Sequence, residues 1–97
     1  MKTYGRQDLL SETTSIIEDI TSSWDLDYAG GITGATRLVG DLTFESIEIV
    51  QLMVAIEKKF NLRIQASQDL LMEDGRYVPD LTVNRIVDFI ESEIKAQ

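Results

Sequence analysis

Apolar residues recur at helical spacing in three stretches of the chain. In the first, Leu9, Ile16, Ile17, Ile20 and Trp24 share a face, Thr13 fills the gap in the stripe, and Ser11, Glu12, Ser15, Glu18 and Ser22 lie opposite. A period near 3.6 residues marks a helix packed along one side, which predicts a helix from about Asp8 to Ser23. The second stretch carries Ile49, Leu52, Met53, Ile56 and Phe60 at i, i+3, i+4, i+7 and i+11, predicting a helix from Glu45 or Ser46 to Phe60 or Asn61. Glu45 and Glu48 at its start and Lys58 and Lys59 at its end complement the helix dipole, and Asn61 can supply the stop. The third stretch, Val83, Ile86, Val87, Ile90 and Ile94, follows Thr82, a good N-cap. A shorter helical piece is expected over Ser67 to Glu73, with Ser67 as N-cap, Leu70 and Leu71 turned inward, and Asp74-Gly75 as its break. Pro79 falls in the connector that follows, where its fixed φ does no harm.

Between Asp25 and Gly40 the periodicity lapses and glycines cluster at Gly30, Gly31 and Gly34, which predicts a long, mobile loop. No segment has the alternation of a strand. The expected fold is all-α: a small four-helix bundle of three main helices and one short one, a single domain over residues 1–97 with an ordered core of about 6–95.

The second helix is apolar on more than one side. With its core stripe assigned, Ile47, Val50 and Val54 form a second stripe that begins beside Ser46 and is rimmed by Glu45, Glu48, Gln51 and Glu57. Two readings are open. A central helix of a small bundle can be buried on two sides. Alternatively the strip is exposed and serves as a docking surface for a partner protein.

Charge and composition narrow the chemistry. Nine basic against seventeen acidic residues give a net charge of −8, which repels polyphosphates and anionic lipid headgroups and suits basic protein surfaces. Neither nucleic acid nor a membrane is an expected partner. No stretch approaches the ~18 apolar residues of a membrane span, and the first residues lack a signal peptide's apolar run, so a soluble, cytoplasmic protein is the expectation. The chain has no cysteine and no histidine, so a Ser-His-acid triad, a thiolate site and the histidine zinc sites cannot be built. The acidic stretch Asp69 to Asp80 has the wrong spacing for a calcium loop, since Leu70 and Met72 fall at ligand positions. The carboxylate pairs Glu45/Glu48 and Glu91/Glu93 read as solvated faces, and neither an enzyme nor a metal protein is expected.

The run Leu38-Val39-Gly40-Asp41-Leu42-Thr43-Phe44-Glu45-Ser46-Ile47-Glu48-Ile49-Val50-Gln51-Leu52, continuing to Ile56-Glu57-Lys58-Lys59-Phe60, resembles the phosphopantetheine attachment region of acyl carrier proteins. That family's pattern is a leucine and glycine before an Asp-Ser-Leu triplet, then an acidic, apolar helix ending in Glu and Phe. Here the triplet reads Glu45-Ser46-Ile47. Leu81-Thr82-Val83 followed by Ile86-Val87-Asp88-Phe89-Ile90 is similar to the family's final helix, so the resemblance spans roughly Leu9 to Ile94.

The resemblance implies that a phosphopantetheinyl transferase modifies Ser46. The 4'-phosphopantetheine arm would then hold an acyl or aminoacyl group as a thioester and present it to loading and processing enzymes with basic docking surfaces. Glu45, Glu48, Gln51 and Glu57 would face those partners around the apolar contact of Ile47, Val50 and Val54, with the chain acting as a monomer. Gln51, Lys58-Lys59 and the long Met72 to Asp80 connector depart from the fatty-acid members and point to a free-standing carrier of a polyketide, nonribosomal peptide or lipid-modifying pathway. The competing expectation is an unmodified interaction module that uses the same apolar face, with Ser46 merely starting the helix.

Overall fold

Gly5 opens the first helix. Its extended backbone (φ −79°, ψ 166°) takes the N-cap position, and Asp8, at the third helical position, accepts the Gly5 N–H through Oδ2 at 3.0 Å. In the computed structural model, which describes residues 5–22, 31–62, 68–73 and 76–96, this helix is α1, Arg6–Thr21. It starts two residues before the apolar stripe suggests, because a cap and not a stripe decides where a helix begins. It ends at Thr21, with Ser22 as C-cap, short of the expected Ser23; Ser23, Trp24, the glycine at 30, the cap expected at Ser67 and the break expected at Asp74-Gly75 lie outside the described residues.

Helix α2 spans Ser46–Lys59 and α4 spans Val83–Ala96. Thr82 caps α4 as expected: its Oγ1 accepts the Arg85 N–H at 3.2 Å. The end of α2 also follows the expectation. Asn61 adopts φ 53°, and the Leu62 N–H reaches back to the Glu57 carbonyl at 2.9 Å, the left-handed stop that asparagine tolerates better than most residues.

Helix α1 turns Leu9, Thr13, Ile17 and Thr21 inward, chiefly against α4 and also against α2. Leu52, Met53 and Ile56 of α2, Phe60 at its C-cap, and Val83, Ile86, Val87, Phe89 and Ile90 of α4 pack with them, joined by residues of the connecting segments, while Ile49 is only half-buried. Each fully buried Leu, Ile or Phe contributes about 1.5–3 kcal/mol, which is how so acidic a chain stays collapsed. Thr13 Oγ1 is enclosed in this core with no hydrogen-bond partner among the described residues.

Two expectations need correction. The short helix is smaller than expected: α3 covers Gln68–Leu71 only, and Met72–Glu73 (β1) pairs antiparallel with Arg76–Tyr77 (β2), Met72 opposite Tyr77 and Glu73 opposite Arg76. Asp-Gly between two short extended segments is a hairpin signal that outweighs a helical reading of Met72 and Glu73. The fold is therefore small and mostly helical, with one miniature hairpin. Likewise, the last part of the supposed mobile loop is built in. Thr36 and Leu38 are buried, and residues 34–38 run alongside the entry to α4. Leu38 N–H donates to Leu81 C=O (2.9 Å), Val83 N–H to Thr36 C=O (3.0 Å) and Asn84 N–H to Gly34 C=O (2.8 Å). A Cβ on Gly34 would meet the end of the exposed Asn84 side chain, which would have to swing aside.

Candidate functional site

The segment that delivers Ser46 contains no regular helix or strand, yet each backbone N–H from Arg37 to Glu45 has an acceptor. Arg37 N–H donates to Asp41 Oδ2 (2.7 Å) and Leu38 N–H to Leu81 C=O (2.9 Å). Those of Val39 and Gly40 donate to the two oxygens of Asp80 (2.8 and 2.9 Å). Asp41 and Leu42 share the Arg37 carbonyl (3.1 and 3.2 Å), Thr43 uses that of Val39 (3.1 Å) and Phe44 that of Leu38 (3.0 Å). Glu45 N–H donates to Glu48 Oε1 at 2.8 Å. Buried Leu38, Leu42 and Phe44 pin the inner side of this turn to the core.

Thr43 ends the turn at φ 57°, the left-handed region where a β-branched residue is strained. The reversal aims the chain from the buried Leu42 and Phe44 outward to Glu45 and Ser46, both exposed. Gly40 sits beneath a lid of charge: a Cβ there would lie 2.9 Å from Arg37 Cζ and 3.1 Å from Asp80 Oδ2.

Two carboxyls of the turn have shifted affinities for protons. Arg37, which donates to Asp41 from its guanidinium (3.1 Å) and its backbone N–H, holds the Asp41 carboxyl below its ordinary 3.8. For Asp80, desolvation is the largest single influence and pushes upward. The three amide donations from Val39, Gly40 and Leu81, with the charge of Arg37, outweigh it and leave this carboxyl also below 3.8.

Ser46 is the first residue of α2, and its neighbours do the capping. Glu45 occupies the N-cap and Glu48 closes back onto the Glu45 N–H, while among the described residues no hydrogen bond engages Ser46 Oγ. The hydroxyl faces solvent next to the positive end of the helix, whose first N–H groups lack intrahelical partners.

The second apolar stripe is outside the core. Ile47 is 63% exposed, Val50 54% and Val54 43%, so the reading of α2 as buried on two sides does not hold. Glu45 and Gln51 are exposed beside it, and Glu48 and Glu57 are half-buried. One oxygen of Glu48 is thus occupied in closing the helix start, a duty its place in the sequence does not announce.

Beside Ser46 opens a cleft of about 290 Å³, lined by Ser46, Ile49, Val50, Leu71, Val78, Asp80 and Leu81. It lies between α2, the α3 end and the segment entering α4, which explains why Ile49 is only half-buried. The sequence reasoning assigned no role to Asp80, Arg37 or Asp41, and placed Leu71 and Ile49 simply in the core. The signal for Asp80 was faint: a carboxylate two residues before a capping threonine, in a connector with several other acids.

Among the described residues no group of acidic side chains could hold a metal ion, and no helix is long and apolar enough to cross a membrane. In comparison with known proteins, no family model and no curated protein sequence matches this chain.

Proposed function

We propose that the chain is a carrier domain of the acyl-carrier type. In this reading its helices form the four-helix bundle of that type, and its work is covalent tethering. A phosphopantetheinyl transferase joins Ser46 Oγ to the phosphopantetheine phosphorus of coenzyme A; the hydroxyl proton leaves, the pyrophosphate P–O bond breaks, and adenosine 3',5'-bisphosphate departs. The thiol at the end of the arm then supplies the chemistry the chain lacks, since its own sequence has no cysteine. Acyl or aminoacyl cargo held there passes among loading and processing enzymes of a specialised polyketide, nonribosomal peptide or lipid-modifying pathway.

One observation carries this reading: a solvent-facing hydroxyl, not spent on capping, stands at the start of a helix whose adjoining apolar stripe is also exposed. The surroundings fit the group. A phosphodiester at Ser46 would lie against the N-terminal turn of α2, where the helix dipole offsets the nearby Glu45 and Glu48. The cleft beside it is walled by Ile49, Val50, Leu71, Val78 and Leu81, side chains suited to sheltering an apolar cargo. Ile47, Val50 and Val54, rimmed by Glu45, Gln51 and Glu57, suit a partner with an apolar contact inside a basic ring, and such charge speeds encounter more than it tightens the complex.

Coexpression with a broad-specificity phosphopantetheinyl transferase, followed by intact-mass measurement, tests the proposal. The wild type is expected to gain one phosphopantetheine and Ser46→Ala none. A wild type that stays unmodified, or an adduct that survives Ser46→Ala, would leave the exposed stripe as the surface of a plain interaction module.

A further inference from the structure

Asp80 lies thirty-four residues beyond Ser46 in the chain, yet it forms part of the same cleft wall. Its carboxylate accepts from three backbone amides on two segments: Val39 (2.8 Å) and Gly40 (2.9 Å) in the turn before α2, and Leu81 (2.8 Å) at the entry to α4. Every other acceptor along 37–45 is supplied from within that segment, by Glu48, or by the single carbonyl of Leu81. The turn therefore rests on the α4 side of the molecule through Asp80 and the Leu38–Leu81 bond. Gly40 shows how close the fit is, since its Cα sits under both the Asp80 carboxylate and the Arg37 guanidinium.

We infer that Asp80 is a positioning residue for the modification of Ser46: by anchoring the Val39 and Gly40 amides it holds the 37–45 turn, and with it the serine, in the attitude that a transferase engages. This rests on the carrier reading above. A carboxylate is needed because all three groups it faces are donors. An asparagine would turn its NH₂ toward one of the N–H groups it now accepts, a donor against a donor. Val39 and Gly40 are exposed, so water replaces the lost bonds and the fold survives, but the turn loses its fixed footing. Displacing a reacting group from its productive position lowers rate more than it lowers binding.

The test is steady-state kinetics of a phosphopantetheinyl transferase on apo wild type, Asp80→Asn and, as a control for general destabilisation, Ile17→Val, a core change on α1 that touches none of the turn's hydrogen bonds. Backbone amide hydrogen exchange is measured on the same three proteins. Asp80→Asn is expected to lose about tenfold in kcat/KM, mostly in kcat, with faster exchange confined to the amides of 39–45 and of Leu81. Ile17→Val is expected to keep the wild-type rate. The inference is overturned if Asp80→Asn is modified at the wild-type rate, if Ile17→Val slows as much, or if exchange over 39–45 is unchanged. The exchange measurement needs no modification, so it judges the anchor even when the wild type takes no phosphopantetheine and the carrier reading itself fails.

Discussion

Thr43 holds a backbone conformation that most residues with a β-carbon avoid. At φ 57° it terminates the turn before α2, its N–H bonded to the Val39 carbonyl four residues back. That is the helix-stop geometry usually given to glycine, and a side chain there costs about 1–2 kcal/mol. Thr43→Gly is therefore expected to stabilise the protein by about 1 kcal/mol, the larger entropy of unfolded glycine taking back part of the relieved strain. Urea denaturation, read as a rise in midpoint at constant slope, checks it, and a fall in midpoint would show that the threonine is not strained. Thr43 and Asp80 illustrate what a sequence hides at this scale. Ser46 could be singled out because its flanking pattern is local, whereas the contacts of Asp80 are with amides forty residues earlier in the chain, and no spacing rule links them.

The elements were readable to the extent that they are long. The three main helices follow from their apolar stripes, and Thr82 and Asn61 set two of their ends as their capping chemistry suggests, whereas the start at Gly5 was not read from the sequence. The hairpin was not read: strands of two residues are too short to show alternation, and Leu70 and Leu71 just before them suggested a longer helix. For α2 the sequence assigned one apolar stripe to the core but left open whether the second was buried too, because that depends on how the other elements pack around the helix. The exposure of Ile47, Val50 and Val54 decides it and leads to a prediction for the element as a whole. Val50→Asp is expected to change stability by no more than about 0.5 kcal/mol, as surface substitutions do, while sharply slowing modification by a transferase. A thermal melt and a modification time course on one sample separate the two effects. A large drop in melting temperature would mean that the stripe is packed after all.

Across the whole molecule, the acidic balance and the turn carboxylates respond to pH in opposite senses. Protonation relieves the self-repulsion of a chain with net charge −8, but it removes the bonds that Asp41 and Asp80 accept as anions. Both carboxyls titrate below 3.8 in the folded protein, so what they contribute is complete above that value and is lost as pH falls through the folded one. A difference measurement cancels the general repulsion. The stability gap between wild type and Asp80→Asn is expected to be full at about pH 6 and to close toward about pH 2. Chemical denaturation across that range checks it, and a gap independent of pH would mean that the ionised form is not the one that matters. Neither Asp41 nor Asp80 could be singled out among seventeen acidic residues until the fold brought Arg37 and the amides of 39–40 to them.

A swinging load traces a path set by both its tether and its post. With all the peptide hydrogens of the approach to Ser46 already spoken for, this post is braced, although a residue-by-residue description would class that stretch as mere connection. In the carrier reading, whatever hangs from the serine would owe its sweep to the bonds of the tether, and the region open to an enzyme would be a sphere drawn about a braced point.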